Sequence, residues 1–125
     1  CGNIHLVGRL GRQDMAALMS QADAMALPSR SEGFATTLLE AAACATPAIV
    51  TPVGGTDELV SDERFGTIIP NARTETVEAA LREAARNPQR LAEQGENVAR
   101  RVRAEYSWRR TAERVLSACR KANGK

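Results

Sequence analysis

Short apolar runs that alternate with helical patterns limit most strongly what this chain can fold into. Four such runs, closed by Gly, Pro or Thr, have the composition of buried parallel strands: residues 4–8, 24–28, 48–51 and 67–70. Between the first two, Met15, Leu18 and Met19 recur at helical spacing. This order is typical of parallel strands joined by helical crossovers, so we predict an α/β fold with a parallel sheet.

The last part of the chain has a different pattern. Strand signals stop after residue 70, and residues 71–125 are rich in Ala, Glu and Arg, which have high helix propensity. Asn87 followed by Pro88 predicts a boundary between two helices, because Asn caps helices and Pro suits their first position. Ser107 is the expected cap of a last helix. We therefore predict one partial domain, with strand-and-helix units over 1–70 and a helical tail over 71–125.

The charge of the chain excludes one class of function and leaves another open. Seventeen basic and 15 acidic residues give +2, and only four residues are aromatic, so a dedicated nucleic-acid binder is not expected. Residues 1–70 carry −4 and residues 71–125 carry +6. We interpret the basic tail as a solvated face. The alternative is peripheral association with anionic lipid, through Arg100, Arg101, Arg103, Arg109 and Arg110.

Cysteine and histidine usage excludes several kinds of site. The cysteines, Cys1, Cys44 and Cys119, have no close spacing, so neither a disulfide framework nor a metal site is predicted and a cytoplasmic location is expected. His5 is the only histidine, which argues against a His-dependent metal site or a Ser/His/Asp constellation. Because the chain opens at Cys1 on an apolar, strand-like segment, we interpret it as a fragment.

The residues that point most directly to chemistry run from 28 to 41, PSRSEGFATTLLEA, from the end of a predicted strand into a helix. In parallel α/β sheets, ligands bind where a strand ends and the next helix presents unpaired N–H groups and its positive dipole end. A phosphate would fit there. Gly33 permits close approach, and Thr36 and Thr37 add hydroxyl donors. Arg30 would add positive charge, although a solvated side chain is the commoner outcome.

Two glutamates lie within the segment 28–41. Seven residues separate Glu32, on the loop, from Glu40, in the opening turns of the helix. Carboxylates accept hydrogen bonds from hydroxyl groups, so we expect the pair to line one pocket for a ligand that carries both phosphate and sugar hydroxyls, such as a nucleotide sugar.

Purely structural interpretations of the same residues remain open. Thr37 and Glu40 fit a capping box, in which Glu40 would only satisfy a backbone N–H. Phe34 could be a staple-like core residue, and Gly54 and Gly55 could simply turn the chain after a strand.

The run from residue 24 to residue 55 resembles the donor-site signature of family-4 glycosyltransferases, which are retaining sugar transferases. The paired glutamates, the Pro-Ser before them, the Thr-Pro ahead of the next strand and the double glycine follow that family's order. The segments 7–10, 65–66 and 106–108 extend the resemblance over nearly the whole chain. It implies a Rossmann-like, incomplete C-terminal donor domain of the two-domain GT-B architecture, truncated at its N-terminal side.

The resemblance implies a role for each matching residue. Glu32 would contact the transferred sugar and is the candidate catalytic residue, and Glu40 would hold the ribose. The amides of Gly33, Phe34 and Ala35 would face the sugar, and those of Thr36 and Thr37 the diphosphate. The loop at Gly8, Arg9 and Leu10 would lie beside the base. The family usually has Gly where this chain has Ala35, so a methyl group there would narrow the donors accepted.

The implied activity is transfer of a hexose from a nucleoside diphosphate sugar to an acceptor hydroxyl with retention, without a cofactor or metal. The acceptor stays open between a sugar, a lipid and a small molecule. A non-catalytic nucleotide-sugar-binding or regulatory module, a GT-B-type sugar phosphorylase and a nucleotide-sugar epimerase are the alternatives.

The resemblance also predicts how an incomplete domain would behave. The family's domain begins with two more strand-and-helix units that carry a cationic clamp for the diphosphate, so the fragment alone should bind donor weakly and be inactive. Without those strands, residues 4–8 would either pair directly with residues 24–28 or leave apolar edges that join two copies into a homodimer.

Overall fold

Three short parallel strands and six helices build the chain, which a computed structural model describes over residues 2–124. The strands are β1 (Met25–Leu27), β2 (Ala48–Val50) and β3 (Gly66–Ile68). The helices are α1 (Arg12–Gln21), α2 (Thr36–Ala43), α3 (Thr56–Leu59), α4 (Thr74–Arg86), α5 (Pro88–Glu105) and α6 (Trp108–Ala122). The predicted α/β class, parallel sheet and helical tail are confirmed.

The strand order is β1-β2-β3, with β2 between two parallel neighbours. All three residues of β2 are buried, as expected for a central strand covered on both faces. Because the strands are parallel, the carboxyl ends of β1 and β2 meet at one edge of the sheet. The loops that follow them, residues 28–35 and 51–55, therefore lie at that edge together.

Helix α2 leads away from this edge and is fixed by the core. Leu38 and Ala42 of α2 pack with Val50 and with Val98 of α5. Gly95 allows α5 to lie directly against the chain at the end of α2, because a Cβ there would overlap the carbonyl oxygen of Ala45. The core contacts of α2 thus fix its first turn at the carboxyl edge of the sheet.

The predicted strand over residues 4–8, with His5 on it, is wrong. These residues have no regular structure, and Leu6 is 97% exposed. A strand is held by hydrogen bonds to a neighbour, and within residues 2–124 β1 pairs with β2 alone, so the expected pairing of 4–8 with 24–28 does not form. Association of edges between two copies stays a prediction, because the structure describes one copy. Cys1 lies outside the described residues.

The helix boundaries in the tail follow the prediction with one difference. Helix α5 begins at Pro88, and the Ser107 cap is confirmed, because its Oγ accepts from the Arg110 amide at 3.3 Å. Asn87 does not cap α5. Its side-chain amide donates to the carboxylate of Glu83 at 2.7 Å and to the Glu83 carbonyl oxygen at 3.2 Å, so it closes α4 instead.

One predicted surface arginine has a structural role. The Arg101 guanidinium lies 4.7 Å from the Phe65 ring centroid and donates to the Leu59 carbonyl oxygen at 3.1 Å. It therefore holds the connection between α3 and β3, residues 60–65, against α5. In that connection the Arg64 side chain donates to Asp62 and holds the pKa of that carboxyl well below its ordinary value. This connection enters β3 at its amino end, away from the loops that follow β1 and β2.

Candidate functional site

The two loops at the carboxyl edge of the sheet are joined by hydroxyl groups. Thr51, which is 2% exposed, donates its Oγ1 to the Ser29 carbonyl oxygen at 2.5 Å. Thr56 donates its own Oγ1 to the Thr51 carbonyl oxygen at 2.6 Å and accepts from the Val53 amide at 3.0 Å. The loop after β2 is therefore closed on itself and tied to the loop after β1.

Glu32 is half-buried in the first of these loops, and its carboxylate is oriented. Its Oε1 accepts from Ser29 Oγ at 2.5 Å, and no residue in the described part of the chain donates to Oε2. Its backbone packs against Gly54, where a Cβ would lie 2.7 Å from Glu32 Cβ and overlap the Glu32 carbonyl oxygen. One carboxylate oxygen is thus held by the protein and the other is available to a ligand hydroxyl.

The double glycine does turn the chain, since Gly54 and Gly55 have φ of +56° and +78°. The close approach of Gly54 to Glu32 is a second reason why position 54 requires glycine, and the turn alone did not predict it. Phe34 is 48% exposed, so the staple-like core interpretation of Phe34 is wrong. Its ring lies 3.6 Å from the position of a Cβ on Gly55 and covers the turn from the solvent side.

Most of the amides expected to face the donor are unoccupied. Within residues 2–124 the N–H groups of Gly33, Phe34, Ala35 and Thr37 donate to no protein acceptor. The Thr36 amide differs from the expectation, because it donates to the Phe34 carbonyl oxygen at 2.9 Å across Ala35, whose φ of −76° and ψ of 83° are those of an inverse γ-turn. Thr36 can therefore offer its hydroxyl but not its amide.

Glu40 lies exposed on α2, and the alternative of a capping box with Thr37 is wrong, since α2 begins at Thr36 without a side-chain cap. It lines a groove of about 440 Å³ between α1 and α2, together with Arg12, Met15 and Cys44. Glu32 does not line this groove, so the groove accounts for one of the two carboxylates and not for the expected pair.

The residues expected beside the base precede α1 in the chain and do not themselves line the groove. Gly8 turns the chain with a φ of +67°, Arg9 is exposed, and half-buried Leu10 comes just before α1, whose Arg12 lines the groove. Arg30 is exposed on the loop after β1. Neither Arg9 nor Arg30 forms an ion pair or a side-chain hydrogen bond within the described residues.

Sequence reasoning missed the hydroxyl residues that fasten the loops, namely Ser29, Thr51 and Thr56. Thr51 and Thr56 were signalled only by a position at the end of a predicted apolar run or just after a turn, and Ser29 only as part of the Pro-Ser that follows the family's order. Over residues 2–124, no three His, Cys, Asp or Glu side chains converge as a metal ion would require. No helix in the same span has the length and apolar character needed to cross a membrane.

Comparisons with known proteins identify the family and the fold. The family model described as "Glycosyl transferases group 1" matches residues 2–101. D-inositol 3-phosphate glycosyltransferase from Saccharomonospora viridis is 38% identical over 90% of the chain, and that from Kineococcus radiotolerans is 33% identical over 95%. The structure of sucrose-phosphate synthase from Thermosynechococcus elongatus superimposes with a TM-score of 0.88 at 27% identity over 98% of the chain. The chain spans 26%, 29% and 31% of these proteins' own lengths.

Proposed function

The chain belongs to the group 1 glycosyltransferases, and from this we propose that it is the donor-binding part of a retaining, family-4 enzyme. The intact protein would move a hexose from a nucleoside diphosphate sugar to an acceptor hydroxyl. The chain alone would bind donor weakly and would not catalyse transfer, because it matches only 26% and 31% of the lengths of these relatives.

One observation carries the proposal: four unoccupied amides and an oriented carboxylate lie together at the start of α2, at the carboxyl edge of the sheet. Negative charge develops on the leaving diphosphate during sugar transfer. Free N–H groups and the positive end of a helix dipole stabilise such charge without reorganising. A dipole end contributes roughly 0.3–1 kcal/mol, so cationic groups from outside this chain would complete the stabilisation.

We assign the donor's parts along this surface. Glu32 would accept from hydroxyls of the transferred sugar through Oε2, near the amides of Gly33, Phe34 and Ala35. The Thr37 amide and the Thr36 hydroxyl would face the diphosphate, with Arg30 as a nearby positive charge. Glu40 would hold the ribose in the groove beside α1, and the 8–10 turn would border the base.

The names of the relatives suggest which acceptor to test first. One name gives D-inositol 3-phosphate and the other a sugar phosphate as the compound made, so we propose a phosphorylated polyol or sugar as the acceptor class. From the cysteine usage we propose a cytoplasmic location. The lipid alternative would use α6, where Trp108 is 90% exposed beside basic residues. Binding of the protein to anionic vesicles in the absence of donor would support that alternative.

A transfer assay tests the proposed function. The protein expressed from its complete coding sequence would be incubated with labelled UDP-glucose, UDP-N-acetylglucosamine, GDP-mannose or ADP-glucose, and with D-inositol 3-phosphate or a set of sugar phosphates. We expect the label to move from one donor to an acceptor, with the anomeric configuration retained by NMR.

Three results would contradict the proposal. Binding of nucleoside diphosphate without transfer to any acceptor would indicate a binding module. Release of sugar 1-phosphate when inorganic phosphate is supplied would indicate a phosphorylase. A product of inverted configuration would exclude the retaining mechanism.

A further inference from the structure

We infer that Ser29 is a positioning residue for Glu32, held in place by Thr51 from the loop that follows β2. The inference rests on the proposed function, because it assigns a purpose to the orientation of the Glu32 carboxylate. Ser29 itself would not touch the donor.

The hydrogen-bond geometry gives Ser29 this single task. A serine hydroxyl has one proton to donate, and Ser29 donates it to Glu32 Oε1 at 2.5 Å. This is the short distance typical of a hydroxyl bonded to a carboxylate. Oε1 already accepts this bond, whereas both acceptor positions of Oε2 are available to sugar hydroxyls.

Ser29 is in turn fixed by the second loop. Its carbonyl oxygen accepts from Thr51, and the Thr51 carbonyl oxygen accepts from Thr56. Both threonines are 2% exposed, so water does not compete for these bonds. The resulting chain of hydroxyl bonds runs from the carboxyl end of β2 to the carboxylate of Glu32.

The backbone of Glu32 is held from the same direction, because Gly54 packs against its carbonyl group. The loop after β2 therefore fixes Glu32 at two places, its backbone and its carboxylate. A glutamate that is already ordered loses little conformational freedom when the donor arrives, so the hydrogen bond to the sugar can strengthen in the transition state at low entropic cost.

The test uses the protein expressed from its complete coding sequence and the donor that is active in the transfer assay. Removal of the hydroxyl in Ser29→Ala is expected to lower kcat by roughly 10- to 100-fold, because the Glu32 carboxylate can then turn away from the position in which it meets the sugar. Binding of free UDP, GDP or ADP should change by less than about twofold, since the amides that face the diphosphate are intact. Ser29→Thr keeps the hydroxyl and should restore most of kcat.

A second pair of variants tests the link to Thr51. Thr51→Val removes the hydroxyl at nearly constant volume and is expected to lower kcat by about 3- to 10-fold. Thr51→Ser should restore kcat.

The melting temperature of Ser29→Ala separates positioning from stability. An unchanged melting temperature together with a lowered kcat would support positioning, whereas a lowered melting temperature with an unchanged kcat would show that Ser29 only stabilises the loop.

A double-mutant comparison separates this inference from the proposed function. If Ser29 acts through Glu32, Ser29→Ala should cause no further loss in a Glu32→Gln background. If Glu32→Gln alone leaves transfer unchanged, the proposed role of Glu32 fails. If Glu32→Gln slows transfer and Ser29→Ala leaves kcat unchanged, the positioning role alone is overturned.

Discussion

Glu32→Gln, in the protein expressed from its complete coding sequence, is expected to slow sugar transfer by roughly 10- to 150-fold. A neutral amide keeps the shape of the side chain but replaces an oxygen that accepts a charge-assisted hydrogen bond, which contributes about 1.5–3 kcal/mol. The loss should fall mainly on kcat, because the carboxylate would contact the sugar at the reacting centre. Steady-state kinetics with the active donor measures it.

A matched control is available on α4. Glu78 is exposed and forms an i,i+4 ion pair with Arg82 at 2.8 Å, a kind of pair that contributes little. Glu78→Gln should therefore leave kcat and KM unchanged. Equal activity of the two variants would remove Glu32 from the catalytic site.

Gly54→Ala is expected to destabilise the protein by about 2–5 kcal/mol, the sum of a left-handed backbone penalty and an overpacking cost. The φ of +56° disfavours any side chain at this position. In addition, a Cβ would overlap the Glu32 carbonyl oxygen and push the loops after β1 and β2 apart. The measurement is the melting temperature, followed in soluble protein with and without donor.

Gly33→Ala is the control for this variant. A Cβ on Gly33 meets no protein atom within 4 Å, and Gly33 is not in the left-handed region. Its melting temperature should therefore match that of the unaltered protein, while donor binding weakens because the methyl group enters the space assigned to the sugar. Wild-type stability of Gly54→Ala would show that the two loops do not pack as described.

The fold could be predicted where local signals agreed with burial. The apolar run of β2 was predicted as a buried strand, and it is the central strand of the sheet. Pro88 was predicted to begin a helix because proline suits the first helical position, and α5 begins there. Residues 4–8 have an equally apolar pattern, but a strand needs a hydrogen-bonded neighbour, and that neighbour depends on strand order. Asn87 stands between α4 and α5 and can bond to either helix, and its side-chain amide donates to Glu83 of α4.

The candidate site was predictable in outline and not in detail. Topology alone places the loop at 28–35 beside the loop at 51–55, and it places the first amides of α2 there too. The bond from Thr51 to Ser29 depends on side-chain rotamers across two strands, which spacing along one chain does not reveal. For the same reason, sequence could not show that the Thr36 amide would be occupied within its own turn.

A crystal structure of the complete protein with the nucleoside diphosphate of its active donor tests the central claim most directly. We predict that phosphate oxygens lie about 2.7–3.2 Å from the Thr37 amide, with the ribose at Glu40 and open space for the sugar between Glu32 Oε2 and the amides of residues 33–35. A nucleotide bound away from the start of α2, or loop amides bonded to protein atoms in that complex, would contradict the account.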